Sequence, residues 1–117
     1  YWAMDRDKRW ERVKVAYDAL VRGLGERATN AQAAIRASYD AGVTDEFIKP
    51  IILTDADGAP RATIAAGDVA VCFNFRTDRC REITEMLSQR AFPEQGTAPV
   101  PGLHYVTMTQ YDAAFQN

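Results

Sequence analysis

Apolar positions along the chain change their period several times, and each change marks an element. Trp10, Val13, Tyr17, Leu20 and Val21 recur at helical spacing, while Lys8, Arg9, Glu11, Arg12, Lys14 and Asp18 fill the opposite face. This predicts a helix from about Asp7, capped by Asp5 or Asp7 and stopped by Gly23. A second helix is expected from about Thr29 to Ala41, with Thr29 and Gln32 spaced as a capping box and Gly42 as terminator. Its alanines favour helix but supply little bulk, so it is expected to pack through Ile35 and Tyr39.

The rest of the chain reads as short strands, turns and one more helix. Pro50 cannot donate to a strand ladder, so the strand at Ile51-Ile52-Leu53 is short, and Asp55-Ala56-Asp57-Gly58 carries the chemistry of a turn returning along Arg61–Ile64 as a hairpin. Val69-Ala70-Val71-Cys72-Phe73-Asn74-Phe75 is a continuous apolar run of the kind that forms a central strand buried on both faces. After the polar turn Arg76-Thr77-Asp78-Arg79, Ile83, Met86 and Leu87 return to helical spacing, with Thr77 or Asp78 as cap and an end near Arg90. A Pro- and Gly-rich loop from Phe92 to Gly102 precedes a last strand at Leu103–Thr109. Strands alternating with helices predict an α/β fold, a three-layer α/β/α sandwich on a mixed, mostly parallel sheet.

Length and charge narrow the possibilities. A chain of 117 residues supports one hydrophobic core, so residues 1–117 are expected to form a single domain or part of one. Fourteen Lys plus Arg against sixteen Asp plus Glu give a formal net charge of -2, which argues against a broad nucleic-acid or anionic-lipid footprint and confines any anion site to a local cluster. No apolar run approaches the roughly 20 residues of a membrane span, and the start lacks the layout of a secretory signal, so a cytoplasmic chain is expected. Cys72, Cys80 and the single His104 are too few for a zinc, iron-sulfur or disulfide framework. Both cysteines read as reduced, packed small side chains, and His104 as structural or solvent-facing.

Candidate chemistry concentrates at the exit of the apolar strand. In open α/β sheets ligands lie beyond the carboxyl ends of strands, and Arg76 to Arg79 occupies that position. Two guanidinium groups three residues apart offer forked donors to a carboxylate or phosphate. Asp78 between them can hold one arginine in place or bond a substrate hydroxyl, and Thr77 reads as a cap. Arginines are unfavourable at a helix N-terminus, which gives some weight to a role beyond surface charge. Arg6, flanked by Asp5 and Asp7, is ambiguous by residue type alone. No glycine-rich phosphate loop, nucleophile elbow or Ser, His and Asp set is present, so nothing indicates a self-sufficient active site.

Several motifs in order are specific enough to carry a family resemblance. They are Tyr1-Trp2-Ala3-Met4-Asp5-Arg6-Asp7-Lys8-Arg9-Trp10-Glu11-Arg12-Val13, Tyr39 with Gly42-Val43-Thr44-Asp45-Glu46-Phe47, Phe73-Asn74-Phe75-Arg76-Thr77-Asp78-Arg79, and Tyr105-Val106-Thr107-Met108-Thr109-Gln110-Tyr111-Asp112. The chain resembles the later part of the substrate-binding domain of cofactor-independent phosphoglycerate mutase, which interconverts 3-phosphoglycerate and 2-phosphoglycerate through a phosphoserine. The resemblance implies that Arg76 and Arg79 bind the substrate's anionic groups, that Thr77 and Asp78 belong to the same substrate-binding loop, and that Arg6 contributes from the opposite side. It implies another arginine immediately before Tyr1. It also implies a phosphatase-like domain, absent here, that holds the serine and two divalent ions, manganese or magnesium. This segment would then hold no cofactor or metal of its own and be inactive alone. Two other classes stay open on residue types: a stand-alone α/β module for a small anion or nucleotide, and an interaction domain whose arginines are surface charge.

Overall fold

A computed structural model describes residues 1–116. Helix α1 spans Trp10–Arg22 and ends at Gly23, whose φ of 63° is the left-handed conformation glycine adopts without strain. It starts three residues later than the sequence pattern suggests. Asp5 still supports its entry by accepting from the Arg9 N–H at 3.0 Å. Strand β1, Glu26–Ala28, follows, and then α2, Ala31–Asp40. The cap of α2 is Asn30, whose side chain accepts from the Ala33 N–H, in place of the expected Thr29 and Gln32 box. Ile35 and Tyr39, the expected packing residues of α2, are 38% and 44% exposed.

Strand β2, Ile51–Leu53, pairs parallel with β1, and β3, Val69–Cys72, pairs parallel with β4, His104–Thr107. The α/β class holds, with the strands divided between two parallel pairs. Among the described residues, antiparallel pairing occurs as the isolated bridges Thr54 to Pro60 and Phe92 to Thr97. The Asp55–Gly58 turn forms, with the Asp55 side chain accepting from the Asp57 and Ala59 N–H groups, but Arg61–Ile64 is not a strand. Arg61 closes the loop instead, its N–H donating to the Leu53 carbonyl and its guanidinium to the Thr29 and Thr54 carbonyls.

The apolar run is the largest departure from expectation. Only alternate residues of β3, Ala70 and Cys72, turn toward the core, while Val69, Val71, Phe73 and Phe75 are 67%, 59%, 76% and 69% exposed. With one strand neighbour and one packed face, β3 cannot bury both sides. The strand also stops at Cys72, and residues 73–75 continue it as extended chain anchored from elsewhere: the Tyr111 hydroxyl donates to the Asn74 carbonyl at 2.6 Å and the Thr109 hydroxyl to the Phe75 carbonyl at 2.9 Å.

Helix α3, Arg81–Thr84, runs directly into a wider π-type turn at Glu85–Gln89. It begins after Cys80, so neither Thr77 nor Asp78 caps it, and Arg76–Arg79 lies in the turn before it. The core is built where α1 packs on α3 and its continuation, with Val13, Ala16, Tyr17, Ile83, Met86, Leu87 and Phe92 buried together against Val100, Tyr105 and Tyr111. Phe92 is fully buried, its ring 4.3 Å from the Trp10 ring and tilted 42° to it, with the Arg90 guanidinium 3.9 Å above it. Chemical denaturation is expected to show a loss of about 3–5 kcal/mol for Phe92→Ala and under about 0.5 kcal/mol for Leu24→Ala at an exposed position.

Candidate substrate-binding site

The first nine residues form a loop held at both ends. Tyr1 meets Trp2 edge-on at 5.0 Å and lies 5.3 Å from Phe47, and the Trp2 indole N–H donates to the Phe47 carbonyl. This ties the start of the chain to the short 3-10 turn Asp45–Phe47. At the other end the Asp5 carboxylate, 4% exposed, accepts from the Asp7 and Arg9 N–H groups at 3.0 Å and from the Arg12 guanidinium at 3.4 Å. Arg12 also lies over the Tyr1 ring at 4.0 Å. Lys8 sits in the left-handed region, φ 57°, unusual for a residue with a side chain, and its N–H donates to the Glu82 carboxylate at 2.8 Å.

This loop meets the turn after β3. Arg6 Nη1 and Arg76 Nη2 each stand 3.0 Å from the same oxygen of Asp78, which joins residues 72 apart in sequence, and the other Asp78 oxygen accepts from the Arg79 N–H at 2.9 Å. Partial burial works to raise the Asp78 carboxyl, but the bonds from Arg6 and the Arg79 N–H and the charge of Arg76 outweigh it and hold it below the ordinary carboxylate value. Arg79 reaches back to the Met4 carbonyl at 3.5 Å. Thr77 is exposed in the turn.

Of the residues singled out in the sequence, Arg6, Arg76 and Asp78 are therefore joined, and Arg79 spans to the facing loop. Arg6 and Arg79 line a polar cleft of about 220 Å³ with Tyr1, Asp5, Asp7, Arg12 and Glu46, and Arg79 also borders a neighbouring cleft of about 410 Å³ walled by Trp2, Met4 and Ile48. Arg76 stands outside the polar cleft, with 76% of its side chain exposed. The lining sets three guanidinium groups against three carboxylates. An anion would bind here by accepting donors left over from those pairs, since each guanidinium carries five.

Arg12, Asp5 and Glu82 were not legible as site residues. Arg12 reads as one more charge on the polar face of α1, and only its position one helical turn beyond Lys8 hints that it could return to Asp5. Among the described residues no group of three or more His, Cys, Asp or Glu side chains gathers in a way that could hold a metal ion. Cys80 is buried, and burial first, then the neighbouring Cys72, pushes its thiol up to about 12, leaving it a poor nucleophile at neutral pH. His104 is exposed on β4.

Fold and site together define an α/β segment in which two chain regions converge to place arginines around a cleft. Its family follows from comparison with known proteins. The family described as BPG-independent PGAM N-terminus matches residues 1–113, and the chain belongs to it. It is 56% identical over 116 residues to the 2,3-bisphosphoglycerate-independent phosphoglycerate mutase of Bacteroides fragilis, covering 99% of this chain and 22% of that protein. The protein of the same name from Myxococcus xanthus is 53% identical, with 99% and 23% covered. A crystal structure of Leishmania mexicana phosphoglycerate mutase at low cobalt concentration superposes with a TM-score of 0.83 at 34% identity, over 95% of this chain and 21% of that one. The chain thus spans less than a quarter of the length of the relatives it matches.

Glu82 gives the site a pH dependence. Burial first, with the Asp5 and Glu85 carboxylates adding to it against the Lys8 N–H, raises it from 4.5 to about 6. The Asp5 carboxyl, which burial alone would raise, is held below its usual value by the Arg9 and Asp7 N–H groups. For a raised carboxyl the stabilisation is full below the unfolded value and is lost as pH climbs through the folded one. Glu82 is therefore expected to cost about 2 kcal/mol between pH 4 and 7.5. Glu82→Gln removes this titration, so denaturation midpoints should show the variant gaining on the parent across that window, and a difference that stays constant with pH contradicts the assignment.

Proposed function

We propose that this segment is the glycerate-binding part of a phosphoglycerate mutase, and that Arg6, Arg76 and Arg79, with Thr77 and Asp78, bind and orient 3-phosphoglycerate and 2-phosphoglycerate. The observation that carries the reading is the convergence of Arg6 and Arg76 on Asp78 from opposite ends of the chain, beside Arg79. A multiply charged three-carbon acid needs several donors in fixed directions, and guanidinium groups supply them in pairs. Asp78 holds Arg6 and Arg76 together on one oxygen and leaves their remaining N–H groups for an anion. Membership of the mutase family supports the same substrate class.

On this reading the covalent step belongs to other parts of the longer polypeptide. A phosphatase-like domain there would supply the serine and two divalent ions, manganese or magnesium, which neutralise charge as the phosphoryl group moves. The part this chain plays is orientation, because the retained glycerate must present its second hydroxyl before the phosphoryl group returns. The open apolar face of β3 fits a segment completed by further chain. Cytoplasmic action on a glycolytic intermediate is part of the proposal. A stand-alone nucleotide or small-anion module is less well supported, since it gives Arg6 no task.

In the full-length polypeptide, Arg76→Ala and Arg79→Ala are each expected to lower mutase turnover by about tenfold to a hundredfold, measured by the interconversion of the two phosphoglycerates. Near-normal turnover in both variants would refute the clamp.

A further inference from the structure

Two buried carboxyl groups hold the first loop, Asp5 in the lining of the polar cleft and Glu82 on α3. Asp5 and Glu82 are 4% and 5% exposed. Between them they accept three consecutive backbone N–H groups of the first loop: Asp7 and Arg9 donate to Asp5, and Lys8 donates to Glu82. Arg6 immediately precedes these three residues, between Asp5 and Asp7. Glu82 belongs to α3, the element that directly follows the Arg76–Arg79 turn, so one side chain links the two regions that meet at Asp78.

This arrangement costs stability. The Glu82 carboxyl is buried against the Asp5 carboxyl, with which it shares a side-chain hydrogen bond, the Glu85 carboxylate also acts on it, and Lys8 is held in the left-handed region. A buried pair of carboxyl groups and a strained backbone persist where the surroundings over-determine them, and such places cluster at functional sites. Packing does not require an acid here, because an apolar side chain of similar size would fill the same volume without the penalty.

We propose that Glu82 is a positioning residue for substrate binding, fixing through the Lys8 N–H and alongside Asp5 the loop that carries Arg6, so that Arg6 faces Asp78 and Arg79 across the cleft before substrate arrives. This rests on the substrate-binding reading of Arg6. Preorganisation of this kind lowers the ordering cost paid on binding and therefore acts on affinity more than on the chemical step.

The test uses the full-length polypeptide and 3-phosphoglycerate. Glu82→Ala is expected to raise KM about tenfold with a smaller change in kcat, while Glu82→Gln, whose amide oxygen still accepts from Lys8, stays within about twofold of the parent. In an Arg6→Ala background the same Glu82→Ala change should add less than about twofold, because the group it positions is gone. An unchanged KM in Glu82→Ala, or an undiminished tenfold effect without Arg6, overturns the proposal. Should Glu82→Ala fail to fold, Glu82→Asp takes its place: withdrawing the carboxylate by one methylene is expected to raise KM about threefold, and an unchanged KM overturns the proposal. If Arg6→Ala alone leaves KM unaltered, the binding role of Arg6 fails and this inference with it. If Arg6→Ala raises KM and Glu82→Ala does not, only the positioning role is lost.

Discussion

The Asp78 carboxylate governs the geometry of the site because it is where two distant stretches of chain are required to meet. One of its oxygens takes both Arg6 and Arg76, and the other takes the Arg79 N–H. An exposed ion pair of this kind contributes little to stability. Its value is directional. It fixes the direction of two largely exposed guanidinium groups, and it leaves most of their donors free for a stronger anion. What gives the meeting its precision lies outside Asp78. Tyr111 and Thr109 hold the backbone of residues 74 and 75 on one side, and Asp5 and Glu82 hold the first loop on the other.

The core explains why those anchors stay in register. Helix α1 follows the first loop, α3 follows the second, and α1 packs on α3 and its π-type continuation through Val13, Tyr17, Ile83, Met86 and Leu87. Burial of that surface fixes the relative placement of the two loops, so helix packing brings Arg6 within reach of Asp78 and Asp78 then pairs it beside Arg76. Tyr17 reinforces the frame by donating its hydroxyl to the Ala98 carbonyl at 2.6 Å, which draws the proline-rich loop onto α1. The functional surface is thus mounted on the most buried part of the chain, where local opening is least frequent.

Helical periodicity in Trp10, Val13 and Tyr17, the left-handed stop at Gly23 and the Asx turn at Asp55 were all readable, because each is a local preference that packing here reinforces. The Arg76–Arg79 segment was readable as a strand exit. Strand β1 was missed because Glu26-Arg27-Ala28 has no apolar alternation and pairs only through its backbone with β2. The run from Val69 to Phe75 carries the composition of a doubly buried strand, yet burial depends on what lies on both sides, and only one face of β3 is covered here. Asp5, Arg12 and Glu82 were silent because their roles are made by contacts across the fold. Nothing in their spacing distinguishes a buried carboxyl that holds a loop from an ordinary surface charge on a helix.

The central claim is that the cleft between the first loop and the Arg76–Arg79 turn receives the phosphoglycerate. A crystal structure of the full-length polypeptide with 3-phosphoglycerate bound tests it most directly. The account predicts the guanidinium groups of Arg6 and Arg79 within hydrogen-bonding distance of one ligand molecule, with Asp78 still paired to at least one arginine. A ligand bound elsewhere, with Arg6 still directed only at Asp78 and Arg79 only at the Met4 carbonyl, would contradict it.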